Sequence, residues 1–251
     1  MLETTATGEA GSVSTIRGQR EPKYWALKQH LLDLLDALPP GSPIPTERAL
    51  AGEFTVSRTT VRQALADLTA EGRLHRVQGK GTFAAEPKLA QRLQLSSYTE
   101  DMRKQGLKPS SKLLDLEEIP AEGDLAKLLG IRAGAKILRL SRLRLADSQP
   151  MALETTHLPL GRFRGLKKHV SAGGSLYATL HEHYGVALDR AEETIETSLA
   201  GPREAEMLGA DVGMPVLLLT RHSFATDGKP VEFARATYRG DRYKFVTTLL
   251  P

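Results

Sequence analysis

Two stretches of this 251-residue chain repeat one another, and that repeat constrains the fold more than any other feature. Residues 126–145 read AKLLGIRAGAKILRLSRLRL, and residues 205–224, 79 positions later, read AEMLGADVGMPVLLLTRHSF. Leu129-Gly130 matches Leu208-Gly209, Gly134 matches Gly213, and Ser141-Arg142 matches Thr220-Arg221. Beyond each copy, Pro150-Met151-Ala152-Leu153 answers Pro230-Val231-Glu232-Phe233. Each unit reads as helix, glycine turn, strand and hairpin partner, so two of them predict one antiparallel sheet covered by helices. A single long period argues for a pseudo-symmetric domain, because a solenoid needs at least three copies. Helical spacing is also legible at 125–129 and 176–184, and strand patterning at 137–145, 151–158, 195–199, 216–222, 231–238 and 243–249.

The first third has a different rhythm. Leu27, Leu31, Leu34, Leu35 and Leu38 follow helical spacing until Pro39-Pro40-Gly41 stops them. Thr46 is placed to cap a second helix with Ala49, Leu50 and Phe54 on one face. Ser57 is placed to cap a third, in which Val61, Leu65 and Leu68 face inward and Glu71-Gly72 ends the helix. Two short strands, 74–77 and 82–84, flank Gln78-Gly79-Lys80-Gly81. Three helices followed by a glycine-tipped hairpin is the element order of a winged helix-turn-helix. The expected fold class is therefore α+β, a winged helix-turn-helix followed by an antiparallel sheet with helices. The expected divisions are a disordered tail (1–21), the winged domain (22–86), a linker (87–94) and a second domain (95–250).

Composition narrows the chemistry. The chain has no cysteine, which excludes disulfides, thiolate catalysis and Cys-based zinc sites. A net charge of +4 permits a polyanionic partner without requiring one. No apolar run approaches the roughly 20 residues that span a bilayer, and the first 20 residues lack the apolar core of a signal peptide. A cytoplasmic protein, with no membrane association, is expected. His157, His181 and His183 show no metal-ligand spacing, and no cofactor or metal is expected.

The third predicted helix carries the clearest binding surface. With Val61, Ala64 and Leu65 inward, Arg58, Thr59, Arg62 and Gln63 occupy the outer face near the N-terminus, the end that a recognition helix presents to the major groove. Arginine suits guanine and glutamine suits adenine. The same pattern also fits an amphipathic surface helix with solvated arginines, and Gly79-Lys80-Gly81 alone also fits a plain tight turn.

These residues carry a resemblance. PTERALAGEFTVSRTTVRQALADLTAEGRL followed by HRVQGKGTFAA resembles the DNA-binding domain of the GntR superfamily. That resemblance implies that Arg48, Arg58 and Arg62 contact DNA, supported by Ser57, Thr59, Thr60 and Gln63, with Gly79, Lys80 and Gly81 as a minor-groove wing. LQLSSYTEDMRKQG, SRLRLADSQPMALETTHLP and YRGDRYKFV resemble the effector domain of the HutC subfamily (a UTRA domain of chorismate-lyase-like fold), nearest to amino-sugar regulators of the DasR and NagR type. The resemblance implies a repressor, a homodimer reading palindromic double-stranded DNA, and a phosphorylated effector such as glucosamine 6-phosphate or N-acetylglucosamine 6-phosphate.

The residue types fit such a ligand. Arg142 and Arg144 alternate on one strand and so share a sheet face; arginine forks and hydroxyls suit a phosphate monoester. Ser96, Ser97 and Tyr98 supply hydroxyls and open a helix through 99–101, while Ser175 and Tyr177 open another. Glu154, Glu232 and Tyr238 are candidate partners for sugar hydroxyls. Simple cross-strand pairing of Arg142 and Arg144 with Glu154 or Glu232 is the competing reading, and Ser175 can equally be a plain cap. Segment 85–101 is the expected coupling element. An enzyme of lyase-like fold and a regulator answering another small acid are the alternatives. The first lacks an activated nucleophile pair, and fold alone does not carry function.

Overall fold

A computed structural model describes residues 22–77, 79–170 and 174–249. The expected tail and Gln78 of the hairpin tip lie outside the described residues.

The N-terminal domain opens with α1 (Lys23–Ala37), α2 (Glu47–Glu53) and α3 (Arg58–Ala70). The expected caps form: Thr46 Oγ1 accepts from Ala49 N at 3.3 Å and Ser57 Oγ from Thr60 N at 3.1 Å. Leu27, Leu31, Leu50, Val61, Ala64, Leu65 and Leu68 bury together as one core. Strands β1 (Leu74–Val77) and β2 (Gly81–Ala84) pair antiparallel in register Val77↔Gly81. Gly79, with φ +73°, takes the left-handed conformation that so short a turn demands.

The C-terminal domain is built on six antiparallel strands: β4 (Pro109–Pro120), β5 (Lys136–Ala146), β6 (Gln149–Pro159), β7 (Leu188–Leu199), β8 (Pro215–Ala225) and β9 (Pro230–Arg239). Their order across the sheet is β4-β5-β6-β9-β8-β7. This order maps onto itself when β4, β5 and β6 exchange with β7, β8 and β9, so the sequence repeat becomes a pseudo-two-fold axis between β6 and β9. Helices α5 (Gly123–Leu128) and α7 (Pro202–Leu208) occupy equivalent places in the two halves. Ala126 packs with Ile137 and Phe233, and Ala205 with Val216, on one face of the sheet. A 3₁₀ turn (Leu166–Lys168) and α6 (Leu176–Tyr184) cover part of the other face, where Leu138, Leu140, Leu158, Leu176 and Leu180 form the main core.

Three expectations need correction. The linker contains a strand, β3 (Leu89–Arg92), which pairs parallel with β10 (Tyr243–Val246) in register Tyr243↔Leu89. Its partner lies about 150 positions away, so no local pattern announces it. Strand β10 belongs to this small sheet, outside the six-stranded one, and stops at Val246. Strand β4, 12 residues long, is absent from the strand pattern read in the sequence. It is an edge strand with a register shift between Leu113 and Asp115, and that shift blurs the alternation by which a strand is recognised.

Candidate ligand cavity and DNA-reading surface

Alternation along β5 places Leu138, Leu140, Arg142 and Arg144 on the covered face, with the two arginines beyond the apolar core. Glu154 on β6 lies opposite Arg142. Its Oε1 accepts from Arg142 Nη2 and Arg144 Nη2, both at 2.7 Å. The cross-strand pairing weighed from sequence is therefore present, with Glu154 as the partner of both cations. Arg142 also donates to the Gly174 carbonyl at 3.3 Å and Arg144 to Ser111 Oγ at 3.0 Å. Among the described residues, the Nε atoms of both arginines are buried without a partner. Burial pushes the Glu154 carboxyl up, but the two guanidinium groups outweigh it and hold the pKa at about 2.

The second repeat supplies the other side. Arg221 on β8, the counterpart of Arg142, donates to Glu193 Oε1 at 3.0 Å and to the Ser96 carbonyl at 3.2 Å. Glu232 on β9 is buried, and its Oε1 accepts from Tyr177 at 2.5 Å and Ser223 at 3.0 Å. Burial raises its pKa, outweighing the Tyr177 hydrogen bond and the charge of Arg221. Glu154, half-buried, and Glu232, buried, thus line one cavity with opposite shifts, because only Glu154 has two guanidinium groups bonded to it.

Two helix starts close the cavity. Ser175 Oγ caps α6, accepting from Ala178 N at 3.3 Å. Ser97 Oγ caps α4 (Tyr98–Lys104), accepting from Glu100 N at 3.2 Å. The buried Asp101 carboxylate braces this turn, accepting from Ser96 and Gln91, each at 2.5 Å. The Arg144 guanidinium lies 5.2 Å from the Tyr98 ring centroid. Ser96, Ser97, Tyr98, Arg142, Arg144, Glu154, Ser175, Tyr177, Glu232 and Tyr238 all line this single cavity. It also includes Arg221, Glu193, Asp101 and Gln91, which sequence reasoning missed. The repeat held the signal for Arg221, since it aligns that residue with Arg142.

On the N-terminal domain, Arg48, Ser57, Arg58, Thr59, Arg62 and Gln63 are exposed, as are Gly79, Lys80 and Gly81 at the hairpin tip. Thr60, half-buried, turns its hydroxyl to Ser57 Oγ at 2.9 Å. Arg62 pairs with Glu47 at 2.8 Å, and Gln63 donates to Asp67 at 2.8 Å. The first turn of α3 therefore presents cations, hydroxyls and free backbone N–H groups together. Among the described residues no cluster of metal-ligating side chains occurs, and no helix is long and apolar enough to cross a membrane.

A winged helix-turn-helix joined to a polar, arginine-lined cavity defines a DNA-binding regulator with a separate small-molecule domain. The chain belongs to the gntR family of bacterial regulatory proteins, whose profile matches residues 23–84, and it carries a UTRA domain at 104–244. Within that family it falls in the HutC-like branch and is a DNA-binding transcriptional repressor by type. It is 39% identical to the HTH-type transcriptional repressor NagR of Bacillus subtilis, over 90% of this chain and 93% of that one. It is 40% identical to the HTH-type transcriptional repressor PhnF of Mycolicibacterium smegmatis, over 90% and 92% of the two chains. The crystal structure of PhnF superposes with a TM-score of 0.65, covering 89% of this chain and 99% of that one at 40% identity. These relatives and families are transcription regulators and not enzymes, which removes the lyase alternative.

Proposed function

We propose that the chain is a homodimeric repressor whose affinity for a palindromic operator is set by a small phosphorylated effector, with a phosphorylated amino sugar as the leading candidate. The observation that carries this reading is the cavity: Arg142, Arg144, Arg221 and two capped helix starts converge on one buried volume. A phosphate monoester matches that donor set, since guanidinium forks and short hydroxyls bind it in charge-assisted geometry. Along the same cavity, Glu232 and Tyr177 near Arg221, and Tyr238 level with Arg144, offer acceptors and hydroxyls suited to a sugar ring. Glucosamine 6-phosphate and N-acetylglucosamine 6-phosphate are the first ligands to try. The likeness to NagR supports them, and the equal likeness to PhnF keeps another small acid as the second reading.

For DNA, Arg48, Arg58 and Arg62 are assigned contacts to the duplex, with Ser57, Thr59, Thr60 and Gln63 in support, and Gly79, Lys80 and Gly81 at the minor groove. Glu47 holds Arg62 in the structure and must release or share it on binding.

The test is titration of the purified chain onto a palindromic duplex selected from random DNA, at fixed salt, with and without a panel of sugar phosphates. Sequence-specific binding that weakens with an amino-sugar phosphate is the expected result. Specific binding indifferent to those sugars but responsive to another acid would replace the effector and keep the regulator.

A further inference from the structure

Just past the end of the DNA-reading helix, the chain meets the C-terminal domain with no spare room. Gly72 follows α3 with φ +73° and is buried. A Cβ on it would stand 2.0 Å from the Asp241 carbonyl oxygen, far inside van der Waals contact. Asp241 is itself fixed: Arg239 donates to its carboxylate at 3.0 and 2.5 Å, both side chains are buried, and Arg239 also bonds the Leu208 carbonyl at 3.1 Å.

The covalent connection arrives at the same turn. Lys88 Nζ donates to the Gly240 carbonyl at 2.6 Å, and Leu89 N donates to the Arg242 carbonyl at 2.8 Å. Ala85 N still bonds Arg73 of the N-terminal domain at 2.9 Å. The free hinge therefore shrinks to Glu86 and Pro87. Three consecutive residues, Gly240, Asp241 and Arg242, receive the lysine, the glycine and the first amide of β3. Tyr238, which lines the ligand cavity, precedes Asp241 by three residues on the end of β9.

We propose that the Gly240–Arg242 turn is the latch that positions the DNA-reading head, gripping Gly72 and Lys88, and that the cavity acts on the head through it. Gly72 and Lys88 are positioning residues, since neither lies on the DNA-reading face or in the cavity. The latch stands on contacts within this chain and does not depend on which effector fills the cavity.

Distance measurement in the full chain tests it cleanly, because the chain contains no native cysteine to interfere with labelling. Spin labels at Glu53→Cys and Lys127→Cys, diluted with unlabelled chain, report the separation of head and sheet domain. Gly72→Ala should shift or broaden the distance distribution. Gly41→Ala, at φ +78° with nothing within 4 Å, imposes the same left-handed penalty in the same domain and should leave it unchanged. Lys88→Met keeps the backbone conformation and should broaden the distribution too, which preserves the test if Gly72→Ala does not fold. A wild-type distribution in both Gly72→Ala and Lys88→Met, or an equal shift in Gly41→Ala, overturns the latch.

Discussion

Glu154 is the residue on which the cavity turns. It serves two buried arginines at once, so any anion that enters must share or displace it. Its folded pKa of about 2 lies below the ordinary 4.5, so its contribution to stability is full above about pH 4.5 and is lost as pH falls toward 2. That contribution is about 3 kcal/mol. Glu154→Gln should destabilise the chain by about 3 kcal/mol or more, because it leaves two buried cations without their charge partner. Glu232 has the opposite sign: its raised pKa means stability is lost as pH rises through the folded value. Glu232→Gln keeps an acceptor for Tyr177 and removes the buried charge, so at pH 7 it should hold or raise the urea midpoint. Parallel urea unfolding of the two variants checks both; a shift of the same sign and size in each would remove the distinction between them. At this scale the residue types were legible but their partners were not. Strand alternation put Arg142 and Arg144 on one face, yet whether they met Glu154, Glu232 or solvent depended on strand order.

At the scale of elements, the helix starts were the most readable feature, because capping is a local bond between a side chain and an amide two or three residues on. Thr46, Ser57, Ser97 and Ser175 all cap as their sequence context suggests. The third helix and the hairpin tip make separable contributions to DNA binding. Arg58→Ala should cost about 1–3 kcal/mol on the selected operator and relax base preference at one position. Lys80→Ala, removing one phosphate-seeking charge, should weaken binding to all sequences alike and reduce the log–log salt slope by about 0.9. Salt titrations on specific and scrambled duplexes separate the two outcomes. Strands β3 and β4 escaped the sequence because neither owes its form to its own pattern. The first exists through a parallel pairing with β10, and the second is an interrupted sheet edge.

For the whole molecule, the pseudo-two-fold axis explains why one cavity has two dissimilar poles. Arg142 and Arg221 are equivalent by repeat, but Glu154 faces Arg142 where Ala234 faces Arg221, so one half holds a doubly paired carboxylate and the other does not. The homodimer proposed for this regulator predicts a light-scattering mass of twice the 27.4 kDa chain at micromolar concentration. A single-chain mass there, persisting on operator DNA, would argue against two heads reading a palindrome. The helix caps, the wing, the repeat and the residue types on each sheet face were all legible in the amino-acid order. All of these follow from bonds or periodicities spanning a few residues, or from direct self-similarity. It took the folded molecule to show that Glu154 takes both arginines, that Arg221 joins them, that the linker contains a strand, and that Gly72 meets Asp241. Those are contacts between positions far apart in the chain, chosen by which strands become neighbours, and no local period encodes that choice.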